Sequence, residues 1–158
     1  MANYVAANTI NIVNTTYENK DVLKNVDLFG VSWVNNSMYK AFYDCNELIS
    51  VTNISATITN MQSCYTNCQK LTTIPDIPAN VTDLSYTFQS CRCLNAIPTI
   101  PSSVTNIYKA FDGCVNANQD LYIRSKEIAN ATDCFINTTA NSSQKEQLVQ
   151  RISSLISC

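Results

Sequence analysis

Apolar positions recur along this chain with a fixed step of 23 residues. Phe42, Tyr65, Phe88 and Phe111 hold one column, and Cys45, Cys68, Cys91 and Cys114 hold another three places later. Met38, Met61, Leu84 and Ile107 stand four places before the aromatic, and Leu48, Leu71, Leu94 and Ala117 three places after the cysteine. Further columns follow at Val51, Ile74 and Ile97, then at Ile54, Ile77 and Ile100. A fifth, degraded copy begins at Ile128, one residue late, with Ala131, Cys134 and Phe135 in the places of Met61, Cys64 and Tyr65. Periodicity of this kind marks a repeat architecture, in which no unit can bury its apolar face alone and each copy covers the next.

Two patterns alternate inside each copy. Leu84, Thr87, Phe88, Cys91 and Leu94 fall at i, i+3, i+4, i+7 and i+10, the spacing of one helix face. The residue before that run is Ser37, Asn60, Asp83, Asn106 or Asn130, each a favoured N-cap type whose side chain can accept an orphan backbone N–H. The spacing therefore predicts a short helix of about two to three turns. Small residues before the aromatic (Ala41, Cys64, Thr87, Ala110 and Cys134) suit close approach of neighbouring helices. After the cysteine, LTTIPDIP and LNAIPTIP place an apolar residue at every third position and predict short strands near 71–74 and 94–97. Pro75 and Pro98 share one column and cannot donate to a ladder, which keeps the strands short, and Pro78 and Pro101 start the turn to the next copy. The expected fold is an α/β solenoid of about four to five stacked units over residues 34–138, with short strands on one side and short helices on the other.

The two ends are off-period. Residues 1–33 carry apolar runs at 9–13 and 22–29 and are expected to cap the stack or to dock it onto something else. At the C-terminus, Leu148, Ile152, Leu155 and Ile156 line one stripe of an expected amphipathic helix within 139–158. That helix would cover the last repeat, or, with a stripe of about two heptads, meet another copy of the chain.

Composition narrows the chemistry. The 158 residues carry a net charge of −2 and no basic cluster, so nucleic acid is not an expected partner. Histidine is missing altogether, which removes the commonest general base, metal ligand and pH switch. With only Gly30 and Gly113 there is no glycine-rich phosphate cradle. No stretch reaches the ~18 apolar residues of a membrane span. The opening MANYVAANTINIVNTTYENK shows no basic stretch leading into an apolar core, so no secretory leader is expected. Seven Asn-x-Ser/Thr sequons, among them Asn14, Asn53 and Asn80, arise easily in so Asn- and Thr-rich a chain.

Eight cysteines raise the question of disulfides or metal. Stacked helices lie ~8–10 Å apart, whereas a disulfide needs Cα atoms within ~7 Å, so the recurrent cysteines are expected to be buried free thiols. Cys64 and Cys68 have metal-ligand spacing, but copy 3 has Thr87 beside Cys91 and offers no matching pair. Cys93 is expected to be exposed, and the terminal Cys158 to be reactive or unpaired. A thiol-rich, unbridged core suits a reducing compartment. Asp44, Asp76, Asp83, Asp112 and Asp133 are scattered over turn and outer columns, and no Ser or Cys has a histidine to activate it. No catalytic residue, cofactor or metal site is expected.

At VTDLSYTFQSC and VTNIYKAFDGC the chain resembles the BspA-like leucine-rich repeats, including the related short surface-protein repeats of the form V-T-N-M-x-x-x-F-x-x-C-x-x-L. The resemblance covers roughly residues 35–138. Copy 1 lacks the Val-Thr start and copy 4 replaces the leucine by Ala117. Such repeats occur in bacterial surface proteins, some protist proteins and phages of gut bacteria. The resemblance implies a leucine-rich-repeat-like stack with an adhesion or scaffold role and no catalysis.

The expected function is that of a non-enzymatic structural or interaction protein. A phage virion component (decoration, fibre or tail-associated) assembled in the host cytoplasm comes first, with residues 1–33 as the docking part. The alternative is a bacterial or protist cell-surface adhesin binding host protein or glycan. Expected partners are other proteins of the assembly, a glycan, or a second copy of this chain. Candidate contact residues on the strand side are Ser50, Thr52, Thr73, Asp76, Ala96 and Thr99, followed by Tyr122 and Arg124. Tyr39, Tyr86 and Tyr108, two or three residues before the column aromatic, are the other candidates, together with Tyr43.

Overall fold

A computed structural model describes residues 3–5, 23–116 and 128–134 of the chain. The expected C-terminal helix over 139–158 lies outside the described residues, as do Phe135, Cys158, Tyr122 and Arg124. Three short strands form a parallel sheet in the order β1 (Asn3–Val5), β2 (Asn25–Asp27) and β3 (Ser50–Thr52). Asn3 pairs with Asn25, and Asn25 with Ser50. Ser50 then bridges Thr73. A second line of parallel bridges joins Ser37, Asn60, Asp83, Asn106 and Asn130. Equivalent residues of successive copies therefore sit directly above one another.

The aromatic column measures the stack. Ring centroids are 5.5 Å apart for Phe42 and Tyr65, 5.6 Å for Tyr65 and Phe88, and 5.3 Å for Phe88 and Phe111, with planes within 15° of parallel. This is close to the spacing of neighbouring β-strands, ~4.7–4.9 Å. It is far below the ~8–10 Å that separates packed helices.

The expected helices are accordingly replaced. Among the described residues there is no α-helix; the one helical element is a 3-10 turn at Val34–Asn36. Where the helix is expected, each copy makes successive four-residue turns. In copy 1, Ala41 N–H donates to Met38 O at 3.1 Å, Cys45 N–H to Phe42 O at 3.1 Å and Leu48 N–H to Cys45 O at 3.1 Å. The third residues of the first two turns, Lys40 and Asp44, have φ of 54° and 62°, the mark of a type II turn. The same places in later copies are Ser63 and Asn67, Tyr86 and Ser90, Lys109 and Gly113, all with positive φ. Left-handed residues four apart forbid an α-helix. The alternate N–H groups leave the coil altogether: Met38, Lys40, Phe42 and Asp44 donate to the carbonyls of Asn60, Gln62, Cys64 and Thr66 at 2.8–3.1 Å. Each coil is thus flat and gives its hydrogen bonds upward, as a strand does.

The apolar spacing is satisfied in a different way from the one it suggests. Met38, Ala41, Phe42, Cys45 and Leu48 are the first and last residues of consecutive turns, and all are 2% exposed or less. Turn ends recur three and four residues apart, which imitates a helix period. The core is one cluster running from Val26 through these columns to Cys134. The expected strand at 71–74 shrinks to the Thr73 bridge, and no strand forms at 94–97. Pro75 and Pro98, lacking N–H groups, account for this.

Side chains extend the ladders. The Thr59 and Thr82 hydroxyls bond the same carbonyls, Asn36 O and Thr59 O, as their own N–H groups, one coil down. Asn60, Asp83, Asn106 and Asn130 each accept the N–H two residues on, at 2.7–3.2 Å. The chemistry expected of an N-cap is present, but it closes an Asx turn at the head of a coil.

Candidate interaction faces

Most turn tips reach solvent once turn ends face inward, with Ser63, Thr66 and Ser85 buried. The tips of copies 1 and 4 bear the same pair, Tyr39–Lys40 and Tyr108–Lys109, three copies apart. Lys40 Nζ lies 5.4 Å from the Tyr39 ring centroid and 5.3 Å from that of Tyr43. Lys109 Nζ lies 5.4 Å from the Tyr108 ring and 3.8 Å from Asp133 Oδ2. Tyr86 meets Tyr108 edge to face at 5.1 Å. The Tyr108 phenol, and after it Asp133, holds the Lys109 ammonium above its ordinary pKa. Partial desolvation, then the hydrogen bond with Tyr108, raises the Tyr86 phenol. Cations over aromatic faces, with the phenols and ammonium groups still reached by water, suit contact with another surface.

The three tyrosines do not share one column. Tyr39 and Tyr108 occupy equivalent places, while Tyr86 stands where the other copies have Lys40, Ser63 and Lys109. Tyr86 and Tyr108 are brought together; Tyr39 lies apart from them with Lys40 and Tyr43. Lys40 and Lys109 were not singled out by sequence reasoning. The signal for them is the recurrence of Tyr-Lys-Ala-Phe at 39–42 and 108–111.

The strand-side candidates lie along two registers, Ser50–Thr73–Ala96 and Asn53–Asp76–Thr99, with Thr52 between them. Thr52, Thr73 and Asp76 are exposed; Ala96 and Thr99 are half-buried. Thr52 spends its hydroxyl on Val26 O at 3.5 Å and Ser50 its own on Asn25 Oδ1 at 2.7 Å.

The cysteines are structural. Cys68, Cys91 and Cys114 each donate a thiol hydrogen to the carbonyl of the aromatic in the copy below, Phe42, Tyr65 and Phe88, at 3.0–3.1 Å. The helix separation that argued against disulfides does not apply to coils this close. The thiols are nonetheless free, and burial raises their pKa, that of Cys114 to about 12. Cys93 is half-buried rather than exposed. Among the described residues no group of three or more Cys, Asp or Glu is placed to hold a metal ion, and no helix is long and apolar enough to cross a membrane.

Compared with known proteins, the chain matches the family model described as BspA type leucine rich repeat region, in six copies over residues 4–118. No curated protein and no solved structure matches it.

Proposed function

The chain belongs to the BspA-type leucine-rich repeat family, and from that premise we propose that it is a non-enzymatic interaction module, serving as the displayed part of a larger protein assembly. Leucine-rich repeats of this type generally act in adhesion or protein–protein interaction. The observation that carries the reading here is the ridge of Tyr39, Lys40 and Tyr43 and of Tyr86, Tyr108 and Lys109, held in register by the stack. Tyrosine supplies large contact area at little cost in side-chain freedom, and lysine beside it adds long-range attraction to an acidic partner surface. The strand-side residues Thr52, Thr73, Asp76, Ala96 and Thr99 form a second, mostly uncharged flank for the same partner.

Our favoured setting is a phage virion, with the chain as a decoration, fibre or tail-associated component. The thiol column, in which Cys68, Cys91 and Cys114 each engage a carbonyl through S–H and form no disulfide, supports folding in a reducing cytoplasm. Residues 1–24, ahead of β2, are proposed as the docking segment. The family itself favours the second reading, a surface adhesin that binds host protein or glycan. Neighbouring genes for capsid and tail proteins would favour the first, and genes for anchoring or export the second.

The test uses the full chain in its native cell. Gradient sedimentation should place it with a particle or cell-envelope fraction, and the double variant Lys40→Glu, Lys109→Glu should move it to the free fraction without changing its thermal unfolding. A chain that sediments as a free monomer in every fraction overturns the proposal.

A further inference from the structure

The first corner of the stack breaks the repeat. Ten residues separate Asp27 from Ser37, whereas eight separate their partners Thr52 and Asn60. The two extra residues make an additional turn in which Val31 N–H donates to Leu28 O at 3.1 Å and Gly30 takes φ of 74°. Phe29 rides on its tip and is 79% exposed, the most exposed large apolar side chain described. Insertions in repeat proteins map to loops on one face, often the binding face.

Against this turn lies an open groove of about 390 Å³, within the size range of small-molecule sites. Leu28, Val31 and Ile54 give it apolar walls, Phe29 stands at its lip, and Ser32, Asn53 and Ser55 supply polar groups. In the next two copies the place of Ser55 is taken by Pro78 and Pro101, so the serine hydroxyl is particular to this corner. No charged side chain lines it. Asp27 organises the site from behind: its Oδ1 accepts both Asn53 Nδ2, at 2.7 Å, and the Phe29 N–H, at 3.0 Å. These bonds, that of Asn53 first, hold the Asp27 carboxyl below its ordinary pKa. With its Nδ2 committed, Asn53 presents an acceptor oxygen, and the Ser32 hydroxyl can donate or accept.

We propose that this corner binds one pyranose ring of a neutral glycan. The apolar C–H face of the sugar lies on Phe29, and its hydroxyl rim meets Asn53 and Ser32. A mixed apolar and uncharged polar lining fits a sugar better than it fits an anion or a purely apolar side chain. Asp27 acts as a positioning residue, fixing Asn53 and the Phe29 backbone. The inference rests on the interaction-module reading and supplies that module with a ligand class.

The experiment screens the full chain against an array of neutral glycans and then titrates methyl glycosides of glucose, galactose, mannose and N-acetylglucosamine by saturation-transfer NMR and calorimetry. At least one glycoside should bind. Phe29→Ala should weaken it on the order of tenfold, and Ser32→Trp, which fills the groove from an exposed position, should abolish it. Asp27→Ala should also weaken it, while Arg92→Ala, at an exposed residue outside this corner, should leave it unchanged. The absence of saturable binding by every glycoside overturns the proposal, as does binding that Phe29→Ala and Ser32→Trp leave intact, or capture of an apolar peptide in the groove in place of sugar. If sugar binding fails while Lys40→Glu, Lys109→Glu still releases the chain from its assembly, the pocket falls and the module reading stands; if sugar binds and the charge reversal has no effect, the pocket stands and the tyrosine–lysine ridge falls as the partner face.

Discussion

Tyr65 stacks on Phe42 with ring centroids 5.5 Å apart and planes 5° from parallel, and its hydroxyl is buried without a hydrogen-bond partner. Burial, and after it the neighbouring Cys64 and Cys68 thiols, holds the phenol far above its usual pKa. The other four copies carry phenylalanine in this place, Phe42, Phe88, Phe111 and Phe135. An unsatisfied buried hydroxyl costs about 1–3 kcal/mol. Tyr65→Phe should therefore stabilise the protein by on the order of 1 kcal/mol, read as a higher urea midpoint at unchanged m-value. A lower midpoint would show that the hydroxyl has a partner.

The thiol column makes stability depend on pH on the alkaline side. Cys64, Cys68, Cys91, Cys114 and Cys134 all have raised pKa values in the fold, chiefly through burial. An unfolded thiol ionises near ~8.5. Below that pH both states keep the proton and stability is complete. Above it the unfolded chain holds fewer protons than the native one, so stability falls with rising pH, by up to about 1.4 kcal/mol per pH unit for each such thiol. Urea midpoints should change little between pH 7 and 8 on this account and drop steeply between pH 9 and 10. Native labelling with a thiol reagent should reach half-buried Cys93 first among these residues; rapid labelling of Cys68 or Cys91 would contradict their burial.

Gly113 is the fourth member of the column that begins Asp44, Asn67 and Ser90, all left-handed. A Cβ built at Gly113 would stand 3.4 Å from the Ser90 Cα and Oγ, an ordinary contact. The cost of Gly113→Ala is therefore the backbone conformation alone, about 1 kcal/mol. Gly113→Asn should cost less, because asparagine tolerates positive φ. Equal losses for the two variants, measured by thermal unfolding, would place the cost in sterics instead.

That column is also the clearest sign the sequence carried and helix reasoning passed over. Asp, Asn, Ser and Gly in one register are the residues that accept a left-handed backbone, and their recurrence every 23 positions marks a turn rather than a helix. The stack itself, its period and its buried Phe and Cys columns were legible, because burial alternates wherever coils stack, whatever their backbone. The backbone was not, because consecutive β-turns put their ends three and four residues apart, as in Met38, Ala41, Phe42 and Cys45. N-cap chemistry at Asn60 and Asp83 was read correctly as a side-chain oxygen on a nearby N–H, a bond that helices and Asx turns share. Tyr39, Tyr86 and Tyr108 were legible as surface residues. The Phe29 corner was not, since an insertion of two residues is what removes that segment from the period.

Each copy hydrogen-bonds and packs against the copies beside it, so copies should be removable as whole units. Deleting residues 71–93 joins Lys70 to Leu94, which has the same place in the repeat as Leu71. In the shortened chain Phe111 should stack on Tyr65, and the Cys114 thiol should meet the Tyr65 carbonyl as Cys91 does now at 3.1 Å. Stability in a stack is a sum of units and nearest-neighbour interfaces. The product should fold cooperatively, with a lower urea midpoint and an m-value smaller by about one seventh. Deleting residues 71–82 instead shifts every following column out of register, putting Asp83 in the place of buried Leu71, and should leave no cooperative transition. If the chain lacking 71–93 is unfolded while its two parental neighbours remain intact in sequence, the copies are not interchangeable and the stack is held by something specific to copy 3.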